Sequence, residues 1–188
     1  HLPEGYSIEF GGETEERDKP FKSLFRALII AIIAIYGILV LQFNSFSQPL
    51  VILVALPLAF IGAICALFIT GNHLGFMVFV GGVSLAGVVV NDAIVLIDFT
   101  NHLRRRENMP IKDAVVRAGQ TRFIPVILTT VTTIGGLLPL TLRGGTLWAP
   151  MGWTIIGGLA LATVLTLVIV PVLYSLIARE GSLAEKER

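Results

Sequence analysis

The chain has 188 residues, of which 54% are hydrophobic and only 14% charged, and its formal net charge is +1. Soluble domains carry about a quarter charged residues, so this composition excludes an ordinary soluble globular domain. The near-neutral charge gives no indication of nucleic-acid binding, and the single cysteine, Cys65, excludes an intrachain disulfide.

No aspartate, glutamate, lysine or arginine occurs between Arg26 and Asp92. About 20 consecutive apolar residues cross the hydrocarbon layer of a bilayer, so this gap of about 65 residues holds two crossings and most of a third. The pattern therefore predicts an all-α integral membrane protein, a bundle of about five transmembrane helices. The predicted spans cover approximately residues 21–41, 49–70, 76–102, 123–142 and 151–178.

The remaining segments are polar. Residues 1–20 are interpreted as the end of a periplasmic domain, residues 110–120 as a short cytoplasmic surface helix that runs into the fourth span, and residues 179–188 as a cytoplasmic tail. Basic residues concentrate in short cytoplasmic loops. The segment between the third and fourth spans is the most basic, with Arg104, Arg105, Arg106, Lys112, Arg117 and Arg122. We therefore expect a periplasmic N-terminus and a cytoplasmic C-terminus.

The third span carries a carboxylate, Asp92, about midway along its length. An unpaired carboxylate at that depth costs at least about 2.5–3.5 kcal/mol to insert, so Asp92 is expected to face protein or water rather than lipid. Burial favours the neutral acid and a nearby cation favours the anion, so such a group can load and release a proton. The alternative is a permanently neutral Asp92 that forms hydrogen bonds between helices.

Two further polar residues of the third span, Asn91 and Asp98, are seven positions apart and share a stripe with Ser84 and Gly87. Small and polar residues on one stripe indicate a close, partly hydrated helix contact. Asp92 lies about 100° round the helix from that stripe. Asp98 is a candidate relay residue, and the alternative is an interfacial charge near the cytoplasmic end of the helix.

The fourth span repeats this pattern. Arg122 and Thr129 are seven positions apart, and Thr133 and Gly136 continue their stripe. Arg122 is expected either to reach the inner interface or to turn inward toward a carboxylate, and both remain open. Threonine hydroxyls in membrane helices often bond only to their own i−4 carbonyl, which is the alternative to a functional role for Thr130 and Thr132.

Paired glycines recur in the spans, at 81–82, 135–136 and 157–158, and are expected to be close helix contacts. No Ser–His–Asp set, metal-ligand spacing or nucleotide-binding loop is present in the sequence. No enzymatic activity and no cofactor or metal is therefore expected.

Several segments, in their order and spacing, resemble the C-terminal membrane half of a resistance–nodulation–division (RND) exporter of the hydrophobe/amphiphile efflux type. Residues 41–46 with the pairs at 49–50, 56–57 and 62–63 resemble its eighth-to-ninth helix hairpin, and residues 87–99 (GVVVNDAIVLIDF) its tenth helix. Residues 122–130 (RFIPVILTT) with 135–140 (GGLLPL) resemble its eleventh helix, and residues 162–165 (ATVL) with 170–172 (VPV) its twelfth.

The resemblance implies a proton-driven exporter of a bacterial inner membrane, working as a homotrimer with a periplasmic adaptor and an outer-membrane channel. In the drug pumps of this family a lysine of the tenth helix faces two aspartates of the fourth. Asn91 stands at that lysine position, and Asp92 stands where those pumps have asparagine. Arg122 and Thr129 match positions implicated in the relay. The fourth helix belongs to the N-terminal half of the transporter, so the chain is interpreted as a fragment.

Two other functions fit the same sequence. One is a stand-alone membrane scaffold or assembly protein that has the fold without transport. The other is the protein-export branch of the RND superfamily, whose helices carry similar Asn-Asp segments. Residues 122–140 favour the efflux branch.

Overall fold

The computed structural model describes residues 13–178 of the chain, and the side chains of residues 22–178. The predicted cytoplasmic tail and most of the predicted periplasmic segment lie outside these residues. The described part contains helices and no strand: α1 (Glu13–Phe43), α2 (Ser47–Leu53), α3 (Ala55–Thr70), α4 (Phe76–Arg106), α5 (Ile111–Arg143) and α6 (Gly145–Ile177).

Five segments within residues 13–178 are long and apolar enough to cross a membrane, which confirms the predicted all-α membrane bundle. The membrane-length segments are Lys22–Phe43, Ser47–Thr70, Phe76–Arg106, Ile111–Arg143 and Gly145–Ile177. Residues 110–120, predicted as a surface helix, form the first turns of α5, which continues without a break through the fourth span. Pro125 lies within α5 and cannot donate to the Thr121 carbonyl, yet the helix continues through it.

The second span is divided into α2 and α3 by a turn at Val54. Pro57 lies three residues further on, and a proline removes the hydrogen bond to the carbonyl four residues before it, here that of Leu53. Val54 keeps helical dihedral angles and its N–H donates to the Leu50 carbonyl at 3.2 Å. The break is therefore a local interruption rather than a loop. At the other end of α3, Gly71 adopts a left-handed conformation with φ of 67°, which terminates the helix.

Helix α6 lies at the centre of the bundle and packs against α3, α4 and α5. Helices α3 and α6 approach each other closely: a Cβ added to Gly62 would lie 2.6 Å from the carbonyl oxygen of Gly157. Gly81 similarly faces the backbone of Met151. The predicted close contacts are thus confirmed for the pairs at 81–82 and 157–158. The pair at 135–136 has no neighbour within 4 Å among the described residues.

The helices are unevenly covered. In the most apolar stretch of each span, 50% of the residues of α4 are buried, compared with 11% for α5 and 6% for α1. Helices α1 and α5 are therefore peripheral within this chain, and α5 presents a long uncovered face beside α4.

Candidate functional site

The polar stripe of α4 points away from the core of the bundle. Val89, Ala93 and Leu96 on the opposite face are between 1% and 3% exposed and pack in the core. Ser84, Gly87, Asn91 and Asp98 on the stripe are all exposed. The same helix therefore has one apolar side that is fully packed and one polar side that the described residues leave uncovered.

Asp92 lies near the middle of α4, at the edge between these two sides, and its side chain is half-buried. It forms no hydrogen bond and no ion pair within residues 22–178. The described residues therefore supply no hydrogen-bonding partner that would hold Asp92 as a permanently neutral acid between helices. Asp98, two turns closer to the helix end, is exposed and also makes neither kind of contact with the described residues.

Arg122 of α5 turns toward α4. Its guanidinium carbon lies 4.6 Å from the centroid of the Phe99 ring, a cation–π geometry. The Nε atom is buried and has no hydrogen-bond partner within the described residues. Arg122 therefore packs on an aromatic ring of α4 and meets no carboxylate among the described residues.

Thr129 lies two turns further along α5 and is exposed. Its hydroxyl donates to the Val126 carbonyl at 2.8 Å, and the Thr133 hydroxyl donates to the Thr129 carbonyl at 2.7 Å. Gly136, next on this stripe, has open space around it in the described chain. The Arg122–Thr129 stripe is therefore an uncovered polar face.

Thr130 behaves differently from its neighbours. It is buried, and its hydroxyl lies 2.7 Å from that of Thr163 on α6, in addition to its bond to the Val126 carbonyl at 3.0 Å. The purely intrahelical alternative therefore does not describe Thr130. The Thr132 hydroxyl donates only to carbonyls of its own helix, those of Leu128 and Thr129.

The site that results is a pair of neighbouring helices whose polar faces are open. Asp92 and Asn91 lie on α4, Arg122 and Thr129 lie on α5, and the contact between Arg122 and Phe99 joins the two helices. No direct bond links Asp92 to Arg122 or Thr129 within the described chain. Neither the Asp92 carboxyl group nor the Arg122 Nε atom has a hydrogen-bonding partner among the described residues. A carboxyl group is chemically able to take up and release a proton, and the described residues of the site include no nucleophile paired with a neighbouring base.

A second polar cluster was not found by sequence reasoning. Asn101 of α4 is 7% exposed and exchanges hydrogen bonds with Gln48 of α2, at 2.8 and 3.3 Å. Tyr174 of α6 donates its hydroxyl to the same Asn101 oxygen at 2.6 Å, and Arg104 donates to Tyr174 at 3.0 Å. The two partners of each of these hydrogen bonds are more than 50 positions apart in the sequence, so no local motif could have indicated the cluster.

Comparison with known protein families gives a match over almost the whole sequence. The model of the AcrB/AcrD/AcrF family matches residues 1–178. The chain belongs to the AcrB/AcrD/AcrF family. Its membership identifies the five-helix bundle as part of the membrane region of an RND transporter, a multi-pass membrane protein.

Individual members of the AcrB/AcrD/AcrF family are considerably longer. The swarming motility protein SwrC of Bacillus subtilis (strain 168) is 38% identical over 181 residues, which are 94% of this chain and 17% of SwrC. Two crystal forms of a heavy metal efflux pump share the fold. One has a TM-score of 0.79 at 32% identity over 94% of this chain and 18% of the pump. The other has a TM-score of 0.74 at 35% identity over 89% of this chain and 17% of the pump. The chain thus spans less than a fifth of these relatives.

Proposed function

We propose that the chain is half of the membrane part of an exporter driven by the proton-motive force, which exchanges protons for drugs or other amphiphilic compounds. The observation that carries this proposal is Asp92: a half-buried carboxylate near the middle of α4 with no hydrogen bond or ion pair in the described chain. Intramembrane carboxylates of this kind are typical of proton pathways.

The uncovered faces of α4 and α5 indicate that a further protein segment packs against these two helices. A polar stripe with Asn91 and Asp98 on one helix and Arg122 on the next is too costly to leave in contact with lipid. Gly87 and Gly136 have open space around them among the described residues. Small residues of this kind allow another membrane helix to approach closely. We assign that contact to the N-terminal half of the same transporter.

In the proposed relay, Asp92 takes up a proton from the periplasmic side and releases it toward the cytoplasm. Asn91 and Asp98 line the hydrated stripe along α4, with Asp98 on the cytoplasmic side of Asp92. Arg122 supplies a positive charge on α5 at the level of Phe99, on the cytoplasmic side of Asp92, and Thr129 offers a hydroxyl on the same face as Arg122. One charge moved across 100 mV is worth about 2.3 kcal/mol, enough to bias a conformational switch.

The assembly and its orientation are part of the proposal. The transporter would lie in the bacterial inner membrane, with the N-terminus of this chain periplasmic and its C-terminus cytoplasmic. It would work as a homotrimer with a periplasmic adaptor and an outer-membrane channel. The basic last turn of α4, with Arg104, Arg105 and Arg106, supports the cytoplasmic placement of that helix end.

The test uses the intact transporter in a host that lacks its own efflux pumps. A panel of amphiphilic compounds, including ethidium and bile salts, identifies those to which the transporter gives resistance. We expect Asp92→Asn to abolish that resistance while the amount of membrane-inserted protein stays the same. Asp98→Asn is the matched control on the same helix, and it should retain more export than Asp92→Asn, because Asp98 lies nearer the helix end and is exposed.

The outcomes separate the alternatives. Full resistance in Asp92→Asn would exclude Asp92 as the carrier. If the wild-type transporter gives no resistance to any amphiphile, the drug and amphiphile class is wrong, and a scaffold or assembly protein or the protein-export branch becomes the better explanation. Loss of a secreted protein from the medium of a strain without the transporter would then favour the export branch.

A further inference from the structure

A small polar cavity lies where several helix ends meet. It has a volume of about 80 Å³ and is formed by the α1–α2 connection, helix α2, the last turn of α4 and the end of α6. Its lining residues are Ser45, Ser47, Gln48, Val51, Arg104, Tyr174, Ile177 and Ala178. Because it lies at the ends of membrane-length helices, it sits at the level of the bilayer surface.

The hydrogen bonds of the polar cluster beside the cavity form a chain from Arg104 through Tyr174 to Asn101. Arg104 donates to the Tyr174 hydroxyl, and that hydroxyl in turn donates to the Asn101 side-chain oxygen. The Asn101 and Gln48 amides satisfy each other. The amides and the tyrosine therefore have the partners that they need, and they hold the Arg104 guanidinium against the cavity.

The positive charge of Arg104 meets only the ring of Tyr174, whose centroid lies 5.9 Å from the guanidinium carbon. No carboxylate within residues 22–178 lies within ion-pair distance of it, and only one of its N–H donors is used, by Tyr174. The hydroxyls of Ser45 and Ser47 line the same cavity and form no hydrogen bond with the described residues. The half-buried Arg104 guanidinium and the two serine hydroxyls can therefore all donate hydrogen bonds to an anion bound in the cavity.

We propose that this cavity binds the phosphate group of a membrane phospholipid, with Arg104 as the charged donor and Ser45 and Ser47 as neutral donors. A guanidinium pairs with phosphate oxygens through parallel N–H donors, which suits a small oxyanion. The surrounding surface fits the rest of a lipid, because Phe46, Leu50 and Ile177 beside the cavity are 72%, 54% and 45% exposed. The site is independent of the proton relay and of export.

The site is tested by binding of single lipids to the intact transporter, purified in detergent and stripped of lipid, with native mass spectrometry as the readout. Dioleoyl-phosphatidylglycerol is titrated into the wild type, Arg104→Gln and Arg105→Gln. Arg105 is the matched control, since it is the next residue but is exposed and does not line the cavity. We expect the first lipid to bind at least about tenfold more weakly to Arg104→Gln, as for loss of a hydrogen bond to a charged group, and unchanged to Arg105→Gln.

A serine variant and a lipid without phosphate test the site independently of Arg104→Gln. The double variant Ser45→Ala/Ser47→Ala removes hydroxyls from the α1–α2 connection and the start of α2, and it should also weaken binding of the first lipid. This variant tests the site even if Arg104→Gln fails to fold. Dioleoylglycerol, which lacks the phosphate, should not bind at the site. Equal lipid affinity in wild type and Arg104→Gln, or binding of dioleoylglycerol as tight as that of the phospholipid, would overturn the proposal. Displacement of the lipid by millimolar inorganic phosphate would instead assign the site to free phosphate and overturn its lipid assignment.

Discussion

The guanidinium of Arg122 rests on the ring of Phe99, with the guanidinium carbon 4.6 Å from the ring centroid. The contact joins α5 to α4 directly after Asp98, and it holds a positive charge beside the helix that carries Asp92. The buried Nε atom of Arg122 has no partner among the described residues. The charge is therefore held in place by packing and a ring face, and its buried Nε donor is unused within the described residues.

This geometry predicts that Arg122→Lys impairs export although it keeps the charge. A lysine ammonium lacks the planar group that stacks on an aromatic ring and donates in parallel. Loss of a cation–π contact worth about 0.5–2 kcal/mol should lower the initial efflux rate severalfold. Arg117→Lys is the control on the same helix, because Arg117 is exposed and pairs with Glu107 at 2.9 Å. Equal efflux rates in both variants would contradict a special role for Arg122.

The glycine contact between α3 and α6 predicts a loss of stability in Gly62→Ala. The added methyl group would lie 2.6 Å from the Gly157 carbonyl oxygen, so the two backbones must move apart. Overpacking of this kind costs about 1–3 kcal/mol of the free energy of unfolding. Thermal denaturation of the purified protein in detergent measures the effect. Gly37→Ala on α1 serves as the control, since nothing in the described chain lies within 4 Å of its added methyl group. A melting temperature lowered equally by both variants would count against the contact.

The buried hydroxyl pair predicts a smaller effect for Thr130→Val. This substitution keeps the shape of the side chain but removes the 2.7 Å hydrogen bond to Thr163 between α5 and α6. Interhelical bonds in membranes average about 0.6 kcal/mol with a maximum near 1.7 kcal/mol, so a modest decrease in melting temperature is expected. Thr132→Val is the matched control, because Thr132 bonds only to carbonyls of its own helix. A larger decrease in the control would refute the interhelical role of Thr130.

The cluster at Asn101 predicts that Asn101→Leu is destabilising. The Tyr174 hydroxyl and the Gln48 amide would both lose a partner, at a cost of about 1–3 kcal/mol for each buried polar group left unsatisfied. Arg105→Leu, at an exposed position on the same helix, should change the melting temperature little. Thermal denaturation of the two variants side by side checks this, and similar melting temperatures would indicate that the cluster is not a significant source of stability.

Much of the fold could be predicted from the sequence because the dominant signal is local. The charge-free stretch between Arg26 and Asp92 and the length of each apolar run predict crossings without knowledge of any contact. The glycine pairs at 81–82 and 157–158 also indicated close contacts correctly, because a missing side chain is useful mainly where backbones approach. The pair at 135–136 carries the same signal, but its face is uncovered in this chain.

The details that escaped prediction depend on contacts between distant residues. The sequence offers Pro57 as a reason for the break at Val54, but prolines are often tolerated in membrane helices, so the break could not be located beforehand. The direction of Arg122 depended on the position of Phe99 on another helix. The pairing of Gln48, Asn101 and Tyr174 combines three helices, and no periodicity within one helix reports it.

The central claim is that Asp92 carries the proton that drives export, and proton movement in proteoliposomes tests it most directly. The intact transporter is reconstituted with a pH-sensitive dye inside, a pH gradient is imposed, and a compound to which it confers resistance is added. We predict that the compound triggers proton flux in the wild type and in Arg117→Lys, and that Asp92→Asn abolishes it with the protein still assembled. Proton flux of wild-type size in Asp92→Asn would contradict the claim.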